Sequence, residues 1–95
     1  AARSTQVLFV NFGEKAEQHC LALVRKLRAE GIIAEVYPDQ AKLKKQFSYA
    51  NARNIPFVAT IGEDEIAQDK ITLKNMASGD QDSVTFPEMI PKFRK

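Results

Sequence analysis

Lys42, Lys45, Tyr49 and Arg53 recur at i, i+3, i+7 and i+11 in the stretch "KLKKQFSYANARNIPF" (42–57). On a helix that spacing sets them along one stripe. Lysine and arginine neutralise phosphates, and an exposed tyrosine offers a ring on which an unpaired base can stack. Lys44 and Gln46 flank the stripe. A second pair lies further on: Glu65 precedes "KITLKNM" (70–76) and Lys74 lies within it. A carboxylate accepts from exocyclic amines or a guanine N1–H edge, whereas a lysine donates to carbonyl or phosphate oxygens. Both sets also fit an ordinary solvated surface, and Tyr49 fits half-buried packing as well as stacking.

The other reactive residue types do not combine into a catalytic constellation. Cys20 and His19 are neighbours in a helical stretch, so their side chains diverge by roughly 100° and form no nucleophile–base pair. The single cysteine reads as a filler on an apolar face. It excludes an internal disulfide and a multi-cysteine metal site. His19 reads as a solvent-exposed helix residue. There is no CxxC, no GxGxxG and no Walker sequence, and "NFGEK" (11–15) offers one glycine, too little to cradle a pyrophosphate. A receiver-type acidic pocket needs carboxylates at several strand ends. Asp39 follows the second apolar segment, but the first and third end in Asn11 and Gly62. No cofactor site is expected in these residues.

The elements that must hold the two basic and polar sets follow from periodicity. "QVLFVNF" (6–12) is an apolar, β-branched run closed by Gly13, and reads as a central strand. Ala16, Cys20, Leu23, Val24 and Leu27 then recur at helical spacing, and Gly31 takes the position just past the helix end. "IIAEVYP" (32–38) is a second strand ended by Pro38. Asp39 is placed to cap the following helix, in which Leu43, Phe47 and Ala50 share the face turned to the core. "FVATIG" (57–62) is a third buried strand. "GEDEIAQDK" (62–70) reads as a loop or a single helical turn. Strands at 70–76 and 83–86 flank the turn "ASGDQDS" and must run antiparallel. Pro87 suits the first turn of a last helix with Met89, Ile90 and Phe93, which Pro91 keeps short or irregular. The fold class is α/β: a three-layer α/β/α sandwich with three helices around a mixed five-stranded sheet, mostly parallel with one antiparallel strand.

Composition narrows the partner. The 95 residues carry a net charge of +2 and are 44% hydrophobic, enough for one domain with one core. Residues 40–54 hold Lys42, Lys44, Lys45 and Arg53 and no acid, while acids gather in "GEDE" (62–65) and "GDQD" (79–82). A local basic patch on a near-neutral chain points to a localised polyanion contact. No apolar run approaches the ~18 residues of a membrane span. Residues 1–5 read as a linker or a cloning remnant without a signal-peptide core, and residues 6–95 as the domain.

"VYPDQAKLKKQFSYANARNIPFVATIGEDE" followed by "ITLKNMASGDQ" resembles the C-terminal anticodon-binding domain of class II aminoacyl-tRNA synthetases, nearest to the histidyl branch. The similarity runs over roughly residues 6–95, nearly the whole chain. Its most specific parts are "AKLKKQFSYA", "IPFVATIGEDE" and "LKNM" with the turn that follows. The resemblance implies a mixed five-stranded sheet and binding of the anticodon arm of histidine tRNA. It implies a cytoplasmic homodimer whose catalytic domain, in the same chain, uses ATP and magnesium. It also implies that Glu65 and Lys74 meet anticodon bases, with a lysine at 74 where some relatives carry arginine and its bidentate fork. The catalytic motifs of that family do not occur in these 95 residues. The rival expectation is an RNA- or protein-interaction module of the same fold in a regulatory protein.

Overall fold

Val7–Phe9, the middle of the first apolar run, forms β1, and all three side chains are buried. In the computed structural model, which describes residues 4–94, β1 sits at the centre of a five-stranded sheet ordered β2-β1-β3-β4-β5. The flanking strands are β2 (Ala34–Val36), β3 (Phe57–Thr60), β4 (Ile71–Asn75) and β5 (Gln81–Val84). β2 and β3 both pair parallel to β1, and β4 alone runs against its neighbours. The mixed sheet is therefore as expected. Residues 1–3 of the stretch read as a linker lie outside the described residues.

Helix α1 (Glu14–Ala29) buries Ala16, Cys20, Leu23, Val24 and Leu27, the face its periodicity predicts. Gly31 follows its end with φ +81°, a left-handed conformation that costs glycine nothing. These side chains meet Val7, Phe9, Ala59, Ile61, Ile71 and Leu73 on one face of the sheet. The last helix, α4 (Phe86–Met89), packs on the same face through Met89 and runs on as a 3₁₀ turn over Ile90–Phe93, the irregularity that Pro91 imposes. The opposite face, Leu8, Val10 and Val58, is covered by α2 (Leu43–Ala52). The outer layers are thus unequal: α1 and α4, with Ile66 of the segment 62–70, on one side and α2 alone on the other.

Three local expectations change. "GEDEIAQDK" contains a six-residue helix, α3 (Glu63–Gln68), so the described residues form four α-helices and not three. Its acidic first turn, Glu63, Asp64 and Glu65, suits the positive end of the helix. β5 spans Gln81–Val84 and not 83–86, because Thr85 caps α4: its hydroxyl accepts from the Glu88 N–H, and the Glu88 carboxylate accepts from the Thr85 N–H. Asp39 does not cap α2, which starts after Lys42 and has no side-chain cap.

The short edge strand β2 is finished by α1. Ile33 turns its carbonyl to the Gln6 N–H on the β1 side, so the Ala34 carbonyl faces outward. Arg28 Nε and Nη2 both donate to it, at 3.2 and 3.0 Å.

Candidate nucleic-acid interface

The helix that carries the basic residues is fastened by an amide pair beyond the end of β1. Gln46 is fully buried and Asn11 is 3% exposed. Gln46 Oε1 accepts from the Asn11 backbone N–H at 2.7 Å, and Gln46 Nε2 donates to the Asn11 and Ala41 carbonyls at 2.9 Å each. The Asn11 side chain donates to the Tyr37 carbonyl and to Glu17, and accepts from the Gly13 N–H. One cluster of hydrogen bonds therefore ties β1, β2, α1 and α2 together.

This corrects the expected inner face of α2. The fully buried residues are Gln46 and Ala50, with Phe47 packed half-buried against the same core and Leu43 turned out. Leu43 is 41% exposed and Phe47 half-buried. Gln46 lies one turn before Ala50, and turning it inward satisfies backbone groups that no leucine could pair.

The expected stripe divides accordingly. Lys42, Lys45 and Arg53 are exposed. Tyr49 is half-buried and turned to β2, so it does not lie on a shared outward face with them. Its hydroxyl donates to Glu35 Oε1 at 3.0 Å, and its ring meets Tyr37 edge to face at 5.2 Å. The Glu35 hydrogen bond acts behind burial, the first cause, to hold the phenol above its ordinary pKa. The Arg53 guanidinium lies 4.7 Å over the same ring. Tyr49 is packed, and it holds Arg53 down.

The opposite flank of α2 carries a group that the stripe misses. Lys44, Phe47, Ser48 and Asn51 line a groove of about 330 Å³ with Lys74 and Met76 of the β4 side. Lys74 Nζ stands 5.0 Å over the Phe47 ring, a contact worth roughly 0.5–1 kcal/mol at an exposed site. The structure brings Lys74 to Lys44 and Phe47, and leaves Lys42, Tyr49 and Arg53 on the far flank. A signal was present: 44, 47, 48 and 51 follow the i, i+3, i+4, i+7 pattern of a helix face.

Glu65 stands at the end of the same strand. Its Oε1 accepts from the Gly62 N–H at 2.8 Å and its Oε2 from the Thr72 hydroxyl at 3.0 Å. The Gly62 N–H, and after it the Thr72 hydroxyl, hold the carboxyl below the usual glutamate range against its partial burial. Thr72 and Lys74 alternate with buried Ile71 and Leu73 and so share the sheet face that α2 covers further along. Among the described residues the ion pairs are Lys92–Asp82 and Arg94–Glu30. None of Lys42, Lys44, Lys45, Arg53 and Lys74 is neutralised by a described carboxylate. A cationic rim around an aromatic ring, beside a fixed carboxylate acceptor, suits a phosphate chain with unpaired bases.

Comparison with known proteins points the same way. A family model described as "Anticodon binding domain" matches residues 6–95. The histidine–tRNA ligase of Bacteroides fragilis is 53% identical over 95 residues, all of this chain and 21% of that protein. The histidine–tRNA ligase of Phocaeicola vulgatus is 50% identical over 90 residues, 95% of this chain and 20% of that protein. The chain thus spans about a fifth of the length of these relatives. The crystal structure of histidyl-tRNA synthetase from Nostoc sp. PCC 7120 superposes with a TM-score of 0.88 at 30% identity, covering 95% of this chain and 22% of that one. The RNA binding domain of threonyl-tRNA synthetase from Cryptosporidium parvum shares the fold, with a TM-score of 0.86 at 22% identity over 94% of this chain and 22% of that one.

Proposed function

The chain belongs to the anticodon-binding domain family, matched across residues 6–95, and from there we propose that it grips the anticodon arm of histidine tRNA for a histidine–tRNA ligase. The groove between α2 and β4 carries this reading, because it sets Lys44, Phe47 and Lys74 around one opening. The choice of tRNA follows from the relatives, which are histidine–tRNA ligases. In this reading Lys42, Lys44, Lys45 and Arg53 meet phosphates. Phe47 and Lys74 meet bases, and Glu65 accepts from a base edge with its remaining lone pairs. Tyr49 acts through Arg53, whose guanidinium rests on its ring.

The longer protein is proposed as a cytoplasmic homodimer whose catalytic domain consumes ATP with magnesium and attaches histidine. Residues 1–5 are its linker to the anticodon-binding domain. Among the described residues no group of three or more His, Cys, Asp or Glu could hold a metal ion. None of their helices is long and apolar enough to cross a membrane.

The test is an NMR titration of the chain with a histidine-tRNA anticodon stem-loop. Amide shifts are expected in 44–51 and 70–76. Lys44→Ala and Lys45→Ala should each flatten the log–log salt dependence of binding by about 0.7. Shifts confined to the α1 and α4 side would overturn the reading.

A further inference from the structure

A carboxylate stands where β2 would be expected to carry an apolar side chain. Register places Glu35 of β2 opposite Leu8, and Leu8 opposite Val58, on the sheet face that α2 covers. Leu8 and Val58 are fully buried, and Glu35 is half-buried beside them. A carboxylate in such a place costs desolvation unless donors satisfy it. Here the donors are two neutral hydroxyls: Tyr49 donates to Oε1 and Thr5 to Oε2, each at 3.0 Å. Arg53 lies 4.7 Å over the Tyr49 ring, yet it makes no ion pair with Glu35. Among the described residues the ion pairs are Lys92–Asp82 and Arg94–Glu30.

That arrangement decides what Arg53 has left to offer. A guanidinium paired with a carboxylate spends its N–H fork on it. One held by its face on a ring keeps the donors along its edge. Among the described residues the arginine side chains that donate hydrogen bonds are Arg28 and Arg94. Arg53 is exposed and borders a recess of about 230 Å³ with Ser4, Thr5 and Ile55, so its edge is open to a ligand. The ring beneath it is fixed by the Glu35 hydrogen bond and by the edge contact with Tyr37. Donation to a carboxylate also polarises the phenol toward a more negative ring face, which strengthens the cation contact. A planar fork held in one orientation matches two oxygens of a phosphodiester. Acting on RNA directly, the Glu35 carboxylate would repel it; acting through Tyr49, it aids binding.

We propose that Glu35 is a positioning residue for RNA binding: it anchors Tyr49, whose ring presents the edge of the Arg53 guanidinium to one backbone phosphate. This rests on the RNA-binding reading of α2. The contact lies on the flank of α2 away from the Lys44–Lys74 groove, so an RNA held at both crosses the outer face of the helix. Thr5 fixes the second carboxylate oxygen, and the stretch that leads into β1 thereby shares the anchor.

Two measurements on this chain are needed. Proton NMR without RNA reads the placement of Arg53, whose side-chain protons over the Tyr49 ring are shifted upfield. Fluorescence anisotropy reads affinity for the histidine-tRNA anticodon stem-loop and its salt dependence. Arg53→Ala should weaken binding about fourfold at roughly 0.15 M salt and flatten the log–log salt dependence by about 0.7, the share of one phosphate. Glu35→Ala should abolish the upfield shift and reproduce both effects, although it removes a negative charge. Added to Arg53→Ala, it should weaken binding no further, because the two act as one unit. Glu35→Gln keeps an acceptor for the phenol and should restore the shift and the salt slope that Glu35→Ala loses. Tyr49→Phe keeps the packed ring without the anchor, and so carries the test where Glu35→Ala does not fold; its binding should fall between wild type and Arg53→Ala. Tighter binding by Glu35→Ala, the result of simple charge removal, would overturn the proposal, as would lost affinity with the Arg53 shift unmoved. Full affinity in Arg53→Ala while Lys44→Ala weakens binding would overturn it too and leave the groove reading standing. A chain whose affinity responds to neither Lys44→Ala nor Arg53→Ala refutes the groove reading and this proposal with it.

Discussion

Replacing Gln46 with leucine should loosen the basic helix more than any change to a lysine on it. Leucine is similar in size, so the cavity contribution is small. What is lost is three hydrogen bonds, to the Asn11 N–H, the Asn11 carbonyl and the Ala41 carbonyl. A buried group left unpaired costs about 1–3 kcal/mol; with one orphaned donor and two weakened acceptors, the loss should be about 2–4 kcal/mol. A chain of 95 residues has about 5–14 kcal/mol in total. With a urea m-value of about 1.3 kcal/mol/M, the midpoint should fall by roughly 1.5–3 M. Circular dichroism during urea titration reads this directly. Gln46→Glu sharpens the test. An ionised glutamate still accepts from the Asn11 N–H but repels the two carbonyls, so folding raises its pKa above the unfolded value of about 4.3. Its stability should be fullest below that value and drain away as pH rises through the folded pKa. A Gln46→Leu midpoint within about 0.3 M of wild type, or a Gln46→Glu variant indifferent to pH, would refute the claim that this amide fastens α2.

Two further outcomes follow. Burial, and after it the charge of Glu17, push the Cys20 thiol up to about 12, so a thiol reagent at pH 8 should label it only through opening of the fold. Gln46→Leu should then speed labelling roughly 30- to 900-fold, the 2–4 kcal/mol above expressed as a population. Labelling at the rate of a free thiol in the intact chain would contradict this. The Glu65 carboxyl should titrate below the ordinary glutamate range by carbon NMR, because the Gly62 N–H and then the Thr72 hydroxyl stabilise its ionised form, and Thr72→Val should move it back upward. Because folding lowers this pKa, its stabilising effect is present at neutral pH and lost as pH falls through the folded value; an unshifted titration would disprove the clamp.

Strand and helix existence was legible where period and burial agree. Val7–Phe9 and the α1 face needed only apolar runs and 3.6-residue spacing. Periodicity fails on α2 because its inward residue is polar. Hydrophobic periodicity selects Leu43 and Phe47, and nothing local reveals that Gln46 has a strand end to pair with 35 residues away. The same signal sets Tyr49 with the lysines and hides Phe47, which is half-buried against the core and still lines the groove. Thr85 shows a smaller conflict, since a β-branched residue after a strand reads as more strand until Glu88 is recognised as its capping partner. Glu65 and Lys74 are legible as a carboxylate and a lysine around β4, and the family resemblance adds their base contacts; their placement beside Thr72 and Phe47 is a matter of tertiary structure.

The Arg28 fork on the Ala34 carbonyl carries a consequence for assembly. An open parallel edge offers another chain a template for strand addition, the usual start of runaway association. Here the edge is three residues long and its outward acceptor is already taken by a charged side chain. The far edge is also short, and its Asp82 is held by Lys92. Strand addition is thus blocked at the β2 margin, and the domain can meet other parts of a longer chain through helices and loops without polymerising through that edge.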